Sequence, residues 1–189
     1  MTGTARAVPV TWTDNGHQYE FVAIYDGLIS WDGARAGAQA IGAGWDLATI
    51  TSAAEMNFIT TSVIGSAVMY STFWVGGYQT PGYDSYGGTY QPLDPQNRVG
   101  WRWVTDETWT DTLWCSGQPD DYLEDQKYLA LYNSAAGWGL DDNTTYAGGF
   151  KGFIAENSAP VPEPATMLLL GSGLIGLAGF GKKKFFKKA

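Results

Sequence analysis

Apolar and polar positions fall into three regimes along the chain. In the first regime, Tyr19-Glu20-Phe21-Val22-Ala23-Ile24 is rich in aromatic and β-branched residues and predicts a strand. Trp31, Ala34, Ala38 and Ile41 then recur at i, i+3, i+7 and i+10, the single apolar face of a helix. Ser30 is placed to cap its start, and Gly42 and Gly44 to end it. A second helix is predicted from Ser52, because Ser52-Ala53-Ala54-Glu55 has the form of a capping box and Met56, Ile59 and Val63 supply a face. After residue 70 the pattern changes to short strands and long loops. Phe73-Trp74-Val75-Gly76-Gly77 reads as a buried strand ending in glycines. Residues 80–98 read as a surface loop rich in Gly, Pro, Tyr, Asp, Asn and Gln. Trp101-Arg102-Trp103-Val104 alternates with both Trp on one face, and Phe150–Glu156 is the last strand expected. Helices early and strands late predict an α+β fold rather than a βαβ repeat, and the chain contains no internal repeat.

The third regime is an uncharged apolar run from Met167 to Gly181, preceded by Val161-Pro162-Glu163-Pro164 and followed by Lys182-Lys183-Lys184-Phe185-Phe186-Lys187-Lys188. Fifteen helical residues rise about 22 Å, short of the roughly 30 Å of a bilayer core. Ala165, Thr166 and snorkelling lysines bring the segment close to spanning. The lysines are expected to stay cytoplasmic.

Composition sharpens this division. The 189 residues carry a formal net charge of −8, but the last eight residues hold five of the eleven basic side chains. What precedes them has six basic against nineteen acidic residues, a net −13. Such a surplus excludes a protein that coats nucleic acid, which needs positive charge to displace phosphate counterions. With 44% apolar and 16% charged residues the chain is not intrinsically disordered. Nine Trp, eleven Tyr and eight Phe favour a wide aromatic core or a ligand surface. The single Cys115 forms no internal disulfide and reads as a small apolar filler. The single His17 argues against a His-rich zinc site or a His-based triad.

Acidic residues cluster in Gln118-Pro119-Asp120-Asp121-Tyr122-Leu123-Glu124-Asp125 and in Asp141-Asp142-Asn143. Hard oxygen donors without His or Cys suit calcium and suit zinc poorly. Bare clusters of this kind also occur as solvated loop charge. Paired carboxylates serve glycoside hydrolysis, but nothing marks an acid with a raised pKa in a deep cleft, so no enzyme is expected.

The carboxyl-terminal segment resembles the PEP-CTERM sorting signal: a Pro-Glu-Pro motif (Pro162, Glu163, Pro164), one hydrophobic helix and a short basic terminus. The resemblance implies export across the inner membrane of a Gram-negative bacterium. It also implies recognition by an exosortase with cleavage near the motif. The helix is then a transient inner-membrane anchor, and the destination is the cell surface, the outer membrane or an extracellular biofilm matrix. Ala5-Arg6-Ala7 has the small-x-small pattern that precedes a signal-peptidase cut, so residues 1–7 are expected to be the remnant of a longer signal peptide. The division is therefore 1–7, 8–159 and 160–189.

Residues 17–157 resemble the C-type lectin-like domain. The carriers are Trp31-x-x-Ala34, Gly44-Trp45-Asp46-Leu47-Ala48-Thr49-Ile50, Glu55 with Phe58, Trp74-Val75-Gly76-Gly77, Trp101 with Trp103, Trp114, and the closing Glu156. The family's usual disulfide cysteines fall near Ala38, Gln126, Thr145 and Ala155, so both bridges are absent. The resemblance implies a calcium held by Gln118, Asp120, Glu124, Asp141 and Asp142, with a cis Pro119 aiming its neighbours at the ion. It also implies a sugar bound through Gln118, Asp120 and Asp142, and stacked on Tyr122. The Gln-Pro-Asp order is the one associated with galactose-type sugars. The expected function is an exported, calcium-dependent carbohydrate-binding protein acting on a carbohydrate or exopolysaccharide. The alternative is a structural or protein-binding surface domain of the same fold without sugar binding.

Overall fold

The computed structural model describes residues 4–66, 71–80, 99–122, 125–144 and 150–158. The chain divides into two units, Met1–Ala159 and Pro160–Ala189. The second lies outside the described residues, as do Glu124, Thr145 and all but the first residue of the 80–98 loop. Among the described residues no helix is long and apolar enough to cross a membrane.

The first unit contains strands β1 (Thr4–Arg6), β2 (Val10–Thr11), β3 (Gln18–Ile24), β4 (Trp45–Leu47), β5 (Thr72–Gln79), β6 (Trp101–Trp103), β7 (Tyr128–Ser134), β8 (Gly137–Asn143) and β9 (Gly152–Asn157). Helices α1 (Trp31–Gln39) and α2 (Ala53–Phe58) follow β3 and β4, and α2 runs on into a π-helical stretch, Ile59–Val63. The described strands form one mixed sheet of order β1-β3-β9-β5-β7-β8, with β2 on β3, β4 on β9 and β6 on β5. The β5–β9 pairing is parallel and the others are antiparallel.

Side-chain alternation splits the core into two layers. Tyr19, Phe73, Val75, Leu129, Leu131 and Ile154 join α2 residue Met56 and the π-stretch residues Ile59 and Val63 in one layer. Val22, Ile24, Trp74, Ala130, Phe153 and Ala155 join α1 residues Trp31, Ala34 and Ala38 in the other. The central strands are thus covered on both sides. Where the family has cysteines, Ala38 and Ala155 are fully buried in the same apolar layer.

Both predicted helix starts occur. Ser30 Oγ accepts the Gly33 N–H at 3.1 Å and Ser52 Oγ accepts the Glu55 N–H at 3.1 Å. The return half of the second box is shifted. The Glu55 carboxylate takes the Thr51 N–H at 2.8 Å and the Tyr19 hydroxyl at 2.5 Å instead of reaching back to Ser52. Helix α1 stops at Gln39, before the glycines expected to end it. The Trp-Val-Gly-Gly strand does not end at its glycines but continues to Gln79. The reason is close packing: a Cβ on Gly76 would lie 2.7 Å from the Leu47 carbonyl oxygen, so only glycine lets these backbones approach.

The sheet also takes in Thr4–Arg6, paired with β3 and assigned from sequence to a leader remnant. Arg6 donates from Nε and Nη2 to the two carboxylate oxygens of fully buried Glu20, at 2.6 and 2.7 Å. Because Arg6 is itself half exposed, water can enter where it is removed. Arg6→Ala is therefore expected to cost about 1–2 kcal/mol, below the cost of breaking a sealed pair. Urea unfolding of the variant beside wild type measures it, and an unchanged midpoint would contradict the assignment.

Candidate functional site

The segment after Trp114 is fastened to the sheet before it reaches the acidic residues. Cys115 N–H donates to the Leu140 carbonyl at 2.8 Å, and Leu140 N–H donates to the Leu113 carbonyl at 2.7 Å. This lays residues 113–115 along β8 and aims the next turn at the far end of that strand. The Gln118–Pro119 peptide bond is cis, as the resemblance implied.

Asp142 of β8 organises the turn. Its carboxylate is 1% exposed and accepts the Asp120 N–H at 3.0 Å and the Asp121 N–H at 2.8 Å. Asp121 adopts φ +43° and accepts the Gln126 N–H at 2.9 Å. Buried Gln126 in turn accepts the Tyr122 N–H at 2.5 Å. Where the family carries a disulfide cysteine, this chain thus holds its loop with an amide. Sequence reasoning missed the roles of Asp121 and Gln126, because a Gln among acids carries no distinguishing pattern.

The electrostatics follow from burial. Desolvation, then the charges of Asp142 and Asp120, push the Asp141 carboxyl up to about 7. Desolvation likewise pushes Asp142 up to about 7, with the Asp120 charge adding to it and the Asp121 and Asp120 N–H groups acting against it. Asp120 is raised by desolvation and lowered by the Tyr122 N–H and the Gln118 side chain, which bonds to it.

Of the predicted ligands, Gln118, Asp120 and Asp142 come together in one turn. Asp141 is their neighbour along β8, and successive strand residues face opposite sides. It therefore acts on the turn through its field, and its Oδ2 accepts from Asn143 at 2.9 Å. Glu124 lies outside the described residues. Tyr122 presents its ring to solvent, 55% exposed. The donors are oxygens only and three buried or half-buried carboxylates share one field, a set that fits a hard divalent cation. Among the described residues, however, the group with three ligand-type donor atoms mutually within 4.8 Å is a different one: His17, Glu107 and Glu156. No local pattern announces that group, because its members stand far apart along the chain.

Cys115 is half-buried, and its Sγ donates to the Tyr132 carbonyl at 3.8 Å. Burial, then the Asp141 charge, pushes its thiol up to about 11. At pH 8 the thiolate is then roughly a thousandth of the population, against about a quarter for a free thiol. Reaction with a chromogenic disulfide is expected to run at least about 100-fold slower in the native protein than in denaturant, and equal rates would show an accessible thiol.

Comparison with known proteins accords with this architecture. The C-type lectin CEL-I from Cucumaria echinata superposes with TM-score 0.54 at 20% identity, covering 75% of this chain and 89% of its own. The C-type lectin domain of murine dendritic cell inhibitory receptor 2, solved in complex with an N-glycan, gives TM-score 0.55 at 17% identity, covering 78% and 94%. Human lithostathine gives TM-score 0.56 at 15% identity, covering 78% and 95%. At such identities the likeness establishes the fold, which is that of a C-type lectin domain. Residues 160–184 match the family of the PEP-CTERM protein-sorting motif, Pro162, Glu163 and Pro164 included, so the chain carries a sorting signal that implies export. No curated protein sequence matches the chain.

Proposed function

We propose that this exported lectin-like protein binds carbohydrate through a calcium ion held by Gln118, Asp120 and Asp142, with Glu124 contributed by the adjoining segment and Asp141 adding its negative field from the other side of β8. The observation that carries the reading is the desolvated carboxylate group of Asp120, Asp141 and Asp142. Burying like charges together is costly unless a cation neutralises them. Calcium supplies that charge and, when bound, open coordination positions for two adjacent sugar hydroxyls. Gln118 and Asp120 orient the hydroxyls by hydrogen bonding, and exposed Tyr122 offers a face to the apolar side of the ring. The Gln-Pro-Asp order favours a galactose-type sugar, in a free carbohydrate or an exopolysaccharide. An exosortase acts at the Pro-Glu-Pro motif after transient anchoring in the inner membrane, and the product resides at the cell surface or in the extracellular matrix.

A second reading, a structural or protein-binding domain of the same fold, is favoured by one observation. Both oxygens of Asp142 already accept backbone N–H groups. Isothermal titration of the full chain in detergent separates the two. The expected result is a calcium heat of one ion per chain and a galactose heat that needs calcium. Calcium without sugar supports the second reading, and no calcium heat rejects the first.

A further inference from the structure

A second constellation shares no residue with the acidic loop and includes the only histidine of the chain. His17 stands immediately before β3, where its backbone is held from both sides. Its N–H donates to Asn15 Oδ1 at 2.9 Å, and its carbonyl accepts the Trp12 N–H at 2.9 Å. The β3–β9 register pairs Tyr19 with Glu156, which brings the imidazole beside the end of β9. His17 Nδ1 lies 2.5 Å from Glu156 Oε1. The other oxygen of Glu156 accepts the Thr49 N–H at 2.8 Å, which fixes the plane of the carboxylate. Glu107 arrives from the turn after β6, where Asp106 adopts φ +60° and its N–H bonds to the Trp103 carbonyl at 3.1 Å. One donor atom from each of His17, Glu107 and Glu156 lies within 4.8 Å of the others.

The charge of this corner is unbalanced. Glu156 is 3% exposed and neighbouring Glu55 is 2% exposed, and the Tyr19 hydroxyl bridges them at 3.3 and 2.5 Å. The described arginine ion pairs are made elsewhere, Arg6 with Glu20 and Arg35 with Asp46, and among the described residues no lysine or arginine pairs with Glu55, Glu107 or Glu156. Burial pushes the Glu156 carboxyl up to about 8, with the charges of Glu55 and Glu107 acting in the same direction. A site that gathers carboxylates around one imidazole, with no lysine or arginine paired to them among the described residues, has the charge and the donor set of a metal site.

We propose that His17, Glu107 and Glu156 bind a divalent transition-metal ion of the zinc type. The donors decide the metal. Imidazole nitrogen with two carboxylates suits zinc, whereas calcium calls for six to eight oxygens. Metal–ligand bonds of about 2.0–2.2 Å set tetrahedral donors about 3.4 Å apart. The His17–Glu156 pair therefore opens slightly as the ion replaces the proton between them, which leaves to solvent, and partly buried Glu107 closes in. His17 and Glu107 both keep partial exposure to solvent, which leaves access for the ion and for a fourth ligand from water.

The sole imidazole makes the test direct. The untagged full chain in detergent, stripped of metal, is titrated with ZnCl₂ and separately with CoCl₂. Metal uptake is followed by calorimetry, the cobalt complex by visible absorption, and His17 by its ring ¹⁵N resonances. The expected result is one zinc per chain, a shifted His17 ring nitrogen and a cobalt spectrum of low coordination number. His17→Ala and Glu107→Gln are expected to weaken zinc at least about tenfold, while Asp120→Ala leaves it unchanged. Both variants alter partly exposed side chains and spare Glu156, whose loss threatens the fold. The proposal is overturned by a wild-type chain that takes up no zinc, by unchanged affinity in His17→Ala, by an unmoved imidazole resonance, or by loss of the zinc in Asp120→Ala. Since it uses none of the loop residues, it stands or falls separately from the calcium reading.

Discussion

Trp74→Ala is expected to remove about 3–5 kcal/mol of stability, a large share of the roughly 5–15 kcal/mol that holds a domain folded. Trp74 is fully buried at the centre of β5. Its ring meets Phe150 edge-on, centroids 4.1 Å apart at 88°, and its indole N–H donates to the Ile29 carbonyl at 2.7 Å. Alanine leaves a cavity between β5 and the α1 layer and strands an acceptor in it. Trp74→Phe separates the two contributions, because it keeps most of the packing and loses only the hydrogen bond, for about 1–2 kcal/mol. Urea unfolding followed by circular dichroism reads both. A cost below about 1 kcal/mol for alanine would mean that this layer repacks freely, contrary to a core without disulfides that depends on its aromatic residues.

Which parts of the fold were legible follows from how each element is covered. Helices α1 and α2 announce themselves because each buries one face and each starts on a serine whose oxygen has a backbone N–H to accept. Strand β3 is legible because its aromatic and β-branched residues leave no other reading. β7 and β8 were not legible. Leu129 and Leu131 enter one core layer and Ala130 the other, so the strand shows no alternation between apolar and polar. β8 reads as Gly-Trp-Gly-Leu-Asp-Asp-Asn, with the composition of an acidic loop, and becomes a strand only by pairing with β7 from Tyr128↔Asn143 to Ser134↔Gly137. The resemblance marks the acidic residues of the loop and of β8 as a group, yet their wiring in the fold has no such mark. That Asp142 caps the turn, that Gln126 holds it, and that Asp141 faces the other side of β8 are tertiary facts with no local pattern. His17 shows the same limit from the opposite side: a lone histidine argues against a His-rich zinc site, and only the fold places Glu107 and Glu156 beside it.

The two aspartates of the loop are expected to fail in different ways, and the difference tests how the site is built. Asp120→Ala removes a half-buried carboxylate whose one backbone hydrogen bond, from the Tyr122 N–H, is long at 3.3 Å. Its effect on stability in EDTA is expected to stay within about 1 kcal/mol. Calcium affinity is expected to fall at least about 100-fold, because a charged ligand is lost from a site whose strength rests on its charge count. Asp142→Ala deletes the acceptor of two backbone N–H groups in a place 1% exposed to water. It is expected to abolish calcium binding and also to cost about 2–3 kcal/mol in EDTA, since the turn loses its anchor whether or not an ion is present. Titration calorimetry gives the first quantity and urea unfolding in EDTA the second. If calcium binds Asp120→Ala as tightly as wild type, the ion is not held by this turn. If Asp142→Ala is as stable in EDTA as Asp120→Ala, the carboxylate of Asp142 is a ligand and not the post on which the loop is built.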